Sequence, residues 1–238
     1  MTEAELVPGL RTSILGFGTA GFGARLSERE RQRLLDAAFD AGIRHFDTAP
    51  LYGDGGAERS VGRFLRGRRD AVTVAAKVGL APARGGRGAP LLRRLGVAAA
   101  RRIGSVDAHM SLERTLRALE TDHVDLLLLH ECDVGSALAD DWHSFLDDCV
   151  SRGLARATGI ATSRGETLRI LQAADAAFPA VVQVAAGTPV PAERGAIFHS
   201  IFVGGSTLEA ALAAHPRALA LFSSTRPERI VENARLAG

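Results

Sequence analysis

Short apolar runs alternate along this chain with longer amphipathic segments, and the two patterns have different periods. The runs at 13–18, 43–47, 72–77, 124–129, 155–160, 181–184, 197–203 and 218–222 are apolar or β-branched in the main, which predicts strands. Segments of helical period at 58–65, 106–119, 141–151, 165–176 and 207–214 fall between them. Ser27-Glu28-Arg29-Glu30 reads as a capping box opening a helix that runs to Ala41, and Gly42 stands where a glycine terminates such a helix. Pro227 opens the last helix, at 226–236.

Eight strand-then-helix units predict a (β/α)8 barrel, one domain over 1–238, with its chemistry on the loops that follow the strands. An open doubly wound sheet is the competing arrangement. Two stretches break the regularity. Only twelve residues, AAGTPVPAERGA, separate the sixth strand from the seventh, so the sixth helix must be short or missing. The segment 78–104 is long, and positions 71–106 hold no acidic residue while carrying Arg84, Arg87, Arg93, Arg94, Arg101 and Arg102. It reads equally as a solvated loop and as a lid for an acidic partner or an anionic substrate.

Composition narrows the class. A 238-residue chain with 46% hydrophobic residues can bury a large core. A formal charge of +2 gives no bulk argument for nucleic acid or membrane binding, and no window approaches the roughly 18 apolar residues of a membrane span. The N-terminus has no apolar leader, and Cys132 and Cys149 lack metal-ligand spacing, so reduced thiols in the cytoplasm and no metal are the expectation. Tyr52 is the only tyrosine and Lys77 the only lysine.

Both fall beside predicted strand ends. Asp47 follows the second strand, Tyr52 lies in the loop beyond it, Lys77 ends the third and His130 follows the fourth. These residue types suit acid catalysis by a phenol. A tyrosine near pKa 10 needs a cation close to its oxygen, a buried lysine needs a carboxylate to stay charged, and an imidazole can orient a substrate oxygen.

LGFGT at 15–19, FDTAPLYG at 46–53, VAAKVG at 74–79, SLERTLRALETDHVDLLLLH at 111–130 and RPERIVEN at 226–233 resemble the aldo-keto reductases, in order along most of the chain. The resemblance implies an NADP(H)-dependent carbonyl reductase on a (β/α)8 barrel, with Asp47, Tyr52, Lys77 and His130 as its catalytic tetrad. By position it also implies a cofactor set of Gly18, Thr19, Asp47, Thr162, Gln183, Ser223, Ser224, Arg229, Glu232 and Asn233. Three positions depart from the family pattern. Ala161-Thr162 stands for Ser-Asn, Ala186 for an aromatic three residues after Gln183, and Ser223 for a lysine.

The partner so implied is a small carbonyl compound. The chain's end at Gly238, with no tail to cover the pocket, favours a bulky one. The altered nicotinamide positions leave two alternatives: a non-redox lyase, dehydratase, isomerase or cyclase using the same tetrad, and a non-catalytic binding barrel.

Overall fold

The computed structural model describes residues 2–23, 25–82, 100–175, 177–201 and 217–237, together with positions 210, 213 and 215. Arg84, Arg87, Arg93, Arg94 and most of the helix expected at 207–214 lie outside the described residues, as does the side chain of Arg101.

Eight parallel strands close into a barrel. In chain order they are β3 (Leu15–Gly18), β4 (His45–Asp47), β5 (Thr73–Val78), β8 (Val124–His130), β9 (Ala155–Ala161), β10 (Val181–Ala185), β11 (Gly195–His199) and β12 (Ala218–Phe222). The helices α1 (Glu28–Asp40), α2 (Gly56–Leu65), α3 (Ser105–Leu119), α4 (Val134–Ala137), α5 (Asp140–Ser151), α6 (Arg164–Ala173) and α7 (Pro227–Leu236) lie in the connections. No helix occupies 186–194, where a Gly- and Pro-rich turn joins β10 to β11. No helix among the described residues is long and apolar enough to cross a membrane.

The α1 boundaries follow from its capping chemistry. Ser27 accepts from the Glu30 amide while Glu30 accepts from the Ser27 amide, forming the capping box. At the other end Gly42, at φ 90°, donates to Phe39 and Ile43 donates to Ala38, which closes the helix as a Schellman motif.

Three elements differ from the sequence expectation. The run 13–18 divides at Ile14. Leu10–Ser13 (β2) pairs antiparallel with Glu3–Val7 (β1), and only the remainder enters the barrel. This hairpin drives Leu6 and Leu10, both buried, against Ala75, Leu126, Leu128, Val181 and Leu219, so it plugs the barrel floor. The segment 78–104 is not plain loop at its ends: Leu80–Pro82 (β6) pairs antiparallel with Ala100–Arg102 (β7). The seventh strand begins earlier and stops at His199 rather than at 203. Its register against β10 starts at Gly195, and Ser200 adopts φ 58°, which takes the chain out of the ladder although the apolar run continues.

Strand alternation then decides which side chains meet. Leu15, Phe17, Phe46, Val74, Ala76, Leu127 and Leu129 join the core that includes helix residues such as Leu35, Val61, Phe145 and Ile230. Ala75, Leu126, Leu128, Ala161, Val181, Ile197, Leu219 and Leu221 form a second core with the hairpin, inside the barrel. With side chains alternating at period two, the same inward face carries Asp47, Lys77, His130, Gln183 and His199 at the strands' C-terminal ends.

Candidate active site

The last inward residue of each strand lines one cavity. Gly18, Asp47, Lys77, His130, Ala161, Gln183, His199 and Leu221 ring a space of about 440 Å³, with Tyr52, Glu131, Thr162 and Ser223 on its walls. Small residues keep it open. A Cβ on Gly18 would stand 2.9 Å from the Ser223 hydroxyl, and Ala161 projects only a methyl.

Tyr52 reaches this cavity through an unusual turn. Gly53, Asp54 and Gly55 all have positive φ, at 57°, 55° and 75°, before α2 begins. Gly53 is obligatory there, because a Cβ would overlap the Phe22 carbonyl. The turn leaves the Tyr52 ring 5.1 Å from the Lys77 ammonium and edge-on to His130, with ring centroids 6.1 Å apart. Lys77 is 2% exposed and lies 2.5 Å from both carboxylate oxygens of Asp47. The four residues of the sequence constellation therefore converge.

Their electrostatics follow from burial and from one another. Burial alone would depress the Lys77 pKa, but Asp47 and Tyr52 outweigh it and the pKa is raised, so the buried amine stays charged. Burial raises the Tyr52 pKa while Lys77 pulls against that rise, so the phenol holds its proton at neutral pH. Burial, then the Lys77 charge, lowers the His130 pKa to about 3. His130 is a neutral imidazole whose buried Nδ1 has no partner, which leaves Nε2 for any group in the cavity.

The remaining predicted residues divide into two groups and one exception. Gln183 lines the cavity at 5% exposure, and its Oε1 is buried without a partner. Thr162 also lines it, with its hydroxyl donated to the Cys132 carbonyl. Ser223, bonded to the Gly18 carbonyl at 2.8 Å, separates this cavity from a second of about 640 Å³ lined by Ser224, Arg226, Arg229, Glu232 and Asn233 at the start of α7. Thr19 is the exception. It is fully buried, its hydroxyl is spent on the Asp47 carbonyl at 3.0 Å, and it does not line the cavity.

The geometry fits a nicotinamide dinucleotide. Gln183 offers an unmet acceptor for an amide donor, and the second cavity joins an arginine to a helix start where backbone N–H groups face an anion. His199 and Glu131 line the site without having been singled out in the sequence. His199 satisfies the strand-end criterion that selects His130. It was hidden because the apolar run to 203 moves the apparent strand end past it.

The family model for the aldo/keto reductase family matches residues 14–190. An uncharacterized oxidoreductase of Bacillus subtilis is 35% identical over 144 residues, which is 58% of this chain and 42% of that protein. A 6-dehydroglucose reductase of Agrobacterium fabrum is 30% identical over 68% of this chain and 53% of its own length. The matched part thus spans about half the length of these relatives, or less. An aldo-keto reductase candidate from Pseudomonas aeruginosa has a crystal structure that superimposes with a TM-score of 0.78 at 26% identity, covering 99% of this chain and 94% of that one. The holo form of an aldo-keto reductase from Bacillus halodurans superimposes at 0.79 and 19% identity, over 99% of this chain and 90% of the other, a likeness of fold. Matched over most of its length by the family model, and carrying the barrel on which those structures are built, the chain belongs to the aldo/keto reductase family.

Proposed function

We propose that the chain reduces an aldehyde or ketone with NADPH, and runs the reverse oxidation with NADP+, using Tyr52 as proton donor, Lys77 and Asp47 to tune it, and His130 to orient the carbonyl. The observation that carries this reading is the meeting of the chain's only tyrosine and only lysine, 5.1 Å from ring centroid to ammonium, with Asp47 on the lysine and His130 edge-on to the tyrosine.

When bound, the nicotinamide supplies the hydride. The protein's own residues do the rest. Neutral His130 donates from Nε2 to the carbonyl oxygen and fixes its position. Tyr52 holds its proton until negative charge grows on that oxygen, then delivers it, since an alkoxide is far more basic than a phenolate. Lys77, kept charged by Asp47, stabilises the phenolate left behind. Gln183 and Thr162 would hold the carboxamide edge. Ser224, Arg229 and Asn233 would hold the adenosine 2′-phosphate end, with Ser223 between the two cavities.

Arg229 supports the choice of NADP(H) over NAD(H), because a guanidinium at a helix start favours a phosphate dianion over a hydroxyl. Calorimetric titration tests this. NADPH should bind more tightly than NADH, and R229A should weaken NADPH by roughly 1.5–3 kcal/mol while leaving NADH nearly unchanged. No heat or saturation with NADPH up to millimolar concentration would overturn the reading.

A further inference from the structure

We infer that Glu131 is a charge filter at the mouth of the catalytic cavity, selecting neutral or amine-bearing carbonyl substrates against carboxylated or phosphorylated ones. This rests on the carbonyl-reductase reading of the same site.

Three observations carry it. Glu131 follows His130 directly and lines the cavity with Tyr52, Lys77 and His130. Its backbone is left-handed, at φ 51°, and is held there by the Glu131 amide donating to the Ala161 carbonyl at 2.8 Å. A residue with a Cβ in that region is strained, and such strain gathers at working sites. The third observation is the charge balance of the lining. Asp47 and Lys77 neutralise each other at 2.5 Å, and burial keeps His130 and His199 neutral. Among the described residues no cation lies within ion-pair distance of Glu131. Arg102, which borders a small adjoining cavity behind His130, is directed to Asp133 at 3.7 Å. Glu131 therefore leaves the described lining one negative charge in excess. That charge is felt at the reacting group, since it acts on Tyr52 in the direction of a more tightly held proton.

A substrate carboxylate about 6 Å from Glu131, in surroundings between water and protein interior, loses roughly 3- to 10-fold in affinity. The same loss carries into kcat/KM, because the repulsion is present in both ground and transition states. A neutral compound of the same shape is spared.

The test uses 4-carboxybenzaldehyde and its neutral counterpart 4-formylbenzamide with the full chain. Wild type should prefer the amide 3- to 10-fold in kcat/KM, E131Q should bring the two within about twofold, and E131K should reverse the order. Salt at about 0.5 M should narrow the wild-type gap. Equal ratios in all three proteins would overturn the proposal. Ligand-observed NMR binding of both aldehydes is measured in parallel. Absence of turnover with both compounds then counts against the reductase reading, while the charge preference is read from affinity. No difference in affinity between wild type and E131K, including no detectable binding of either compound, overturns the filter on its own terms.

Discussion

Replacing Asp47 by Asn removes the carboxylate that keeps Lys77 charged, and the size of the effect can be worked from the site. Lys77 is 2% exposed and Asp47 1%, so neither charge has water to fall back on. Deleting one partner of a buried ion pair costs about 3–5 kcal/mol. An upper bound on the charge penalty comes from the lysine itself, which can escape it by losing its proton. From an unfolded pKa near 10.4, that costs about 4–5 kcal/mol at pH 7, at 1.36 kcal/mol per pH unit. In D47N the folded Lys77 pKa drops below the unfolded value, the unfolded chain binds more protons, and stability rises with pH. Urea unfolding followed by the fluorescence of Trp142, the single buried tryptophan, should therefore give D47N a penalty of about 4 kcal/mol at pH 7, falling to about 2 at pH 9. Adding the second change, in D47L/K77M, should restore stability without restoring activity, since a hydrophobic pair replaces the ion pair at no net cost. A D47N penalty under about 1 kcal/mol at pH 7, or one that does not change with pH, would refute the argument that Asp47 holds the Lys77 charge.

Two further changes probe the scaffold. His45 is fully buried, bonded through Nδ1 to the Thr73 hydroxyl, and burial lowers its pKa to about 4. Its neutral form is favoured by folding, so its contribution is complete above about pH 6.5 and is lost as pH falls towards 4, about 1.4 kcal/mol per unit. His130 and His199 add slopes of the same sign, while Glu58, raised to about 7 by burial, adds one of opposite sign, so H45Q should reduce the stability lost between pH 6.5 and 5 in urea titrations by about 1–2 kcal/mol, and an unchanged slope would contradict it. Gly62 sits inside α2 where a Cβ would meet the backbone of Ala118 and Leu119 on α3. G62A should therefore destabilise by about 1–3 kcal/mol in thermal unfolding despite alanine's better helix propensity, and a more stable variant would show that the helices separate easily.

Much of the barrel is legible in the chain because strand and helix periods differ and because caps are local. Ser27, Glu30 and Gly42 define α1 through bonds to residues at most four positions away. Asp47, Lys77 and His130 are legible for a related reason: a strand end and its alternation place a side chain at the barrel mouth whatever the neighbouring strands do. What escaped depended on distant partners or on backbone conformation. The β1–β2 hairpin is fixed by the inward packing of Leu6 and Leu10, which no local period announces, although Pro8-Gly9, with Gly9 at φ 77°, is a turn signal. His199 was lost because its strand ends at a positive-φ serine, and positive φ at Ser200 or Glu131 has no composition signal as it would at glycine. Thr19 stands in a family motif, yet the structure commits its hydroxyl to the backbone carbonyl of Asp47.

The central claim is that Tyr52 delivers the proton in a reduction for which NADPH binds independently. Y52F keeps the ring and removes only the phenolic oxygen, so the variant isolates that step. Stopped-flow reduction of an aldehyde, paired with calorimetric binding of NADPH to the same preparation, should show cofactor affinity within about twofold of wild type and a rate of reduction lower by roughly 10²–10⁴-fold. Reduction at the wild-type rate in Y52F would contradict the account.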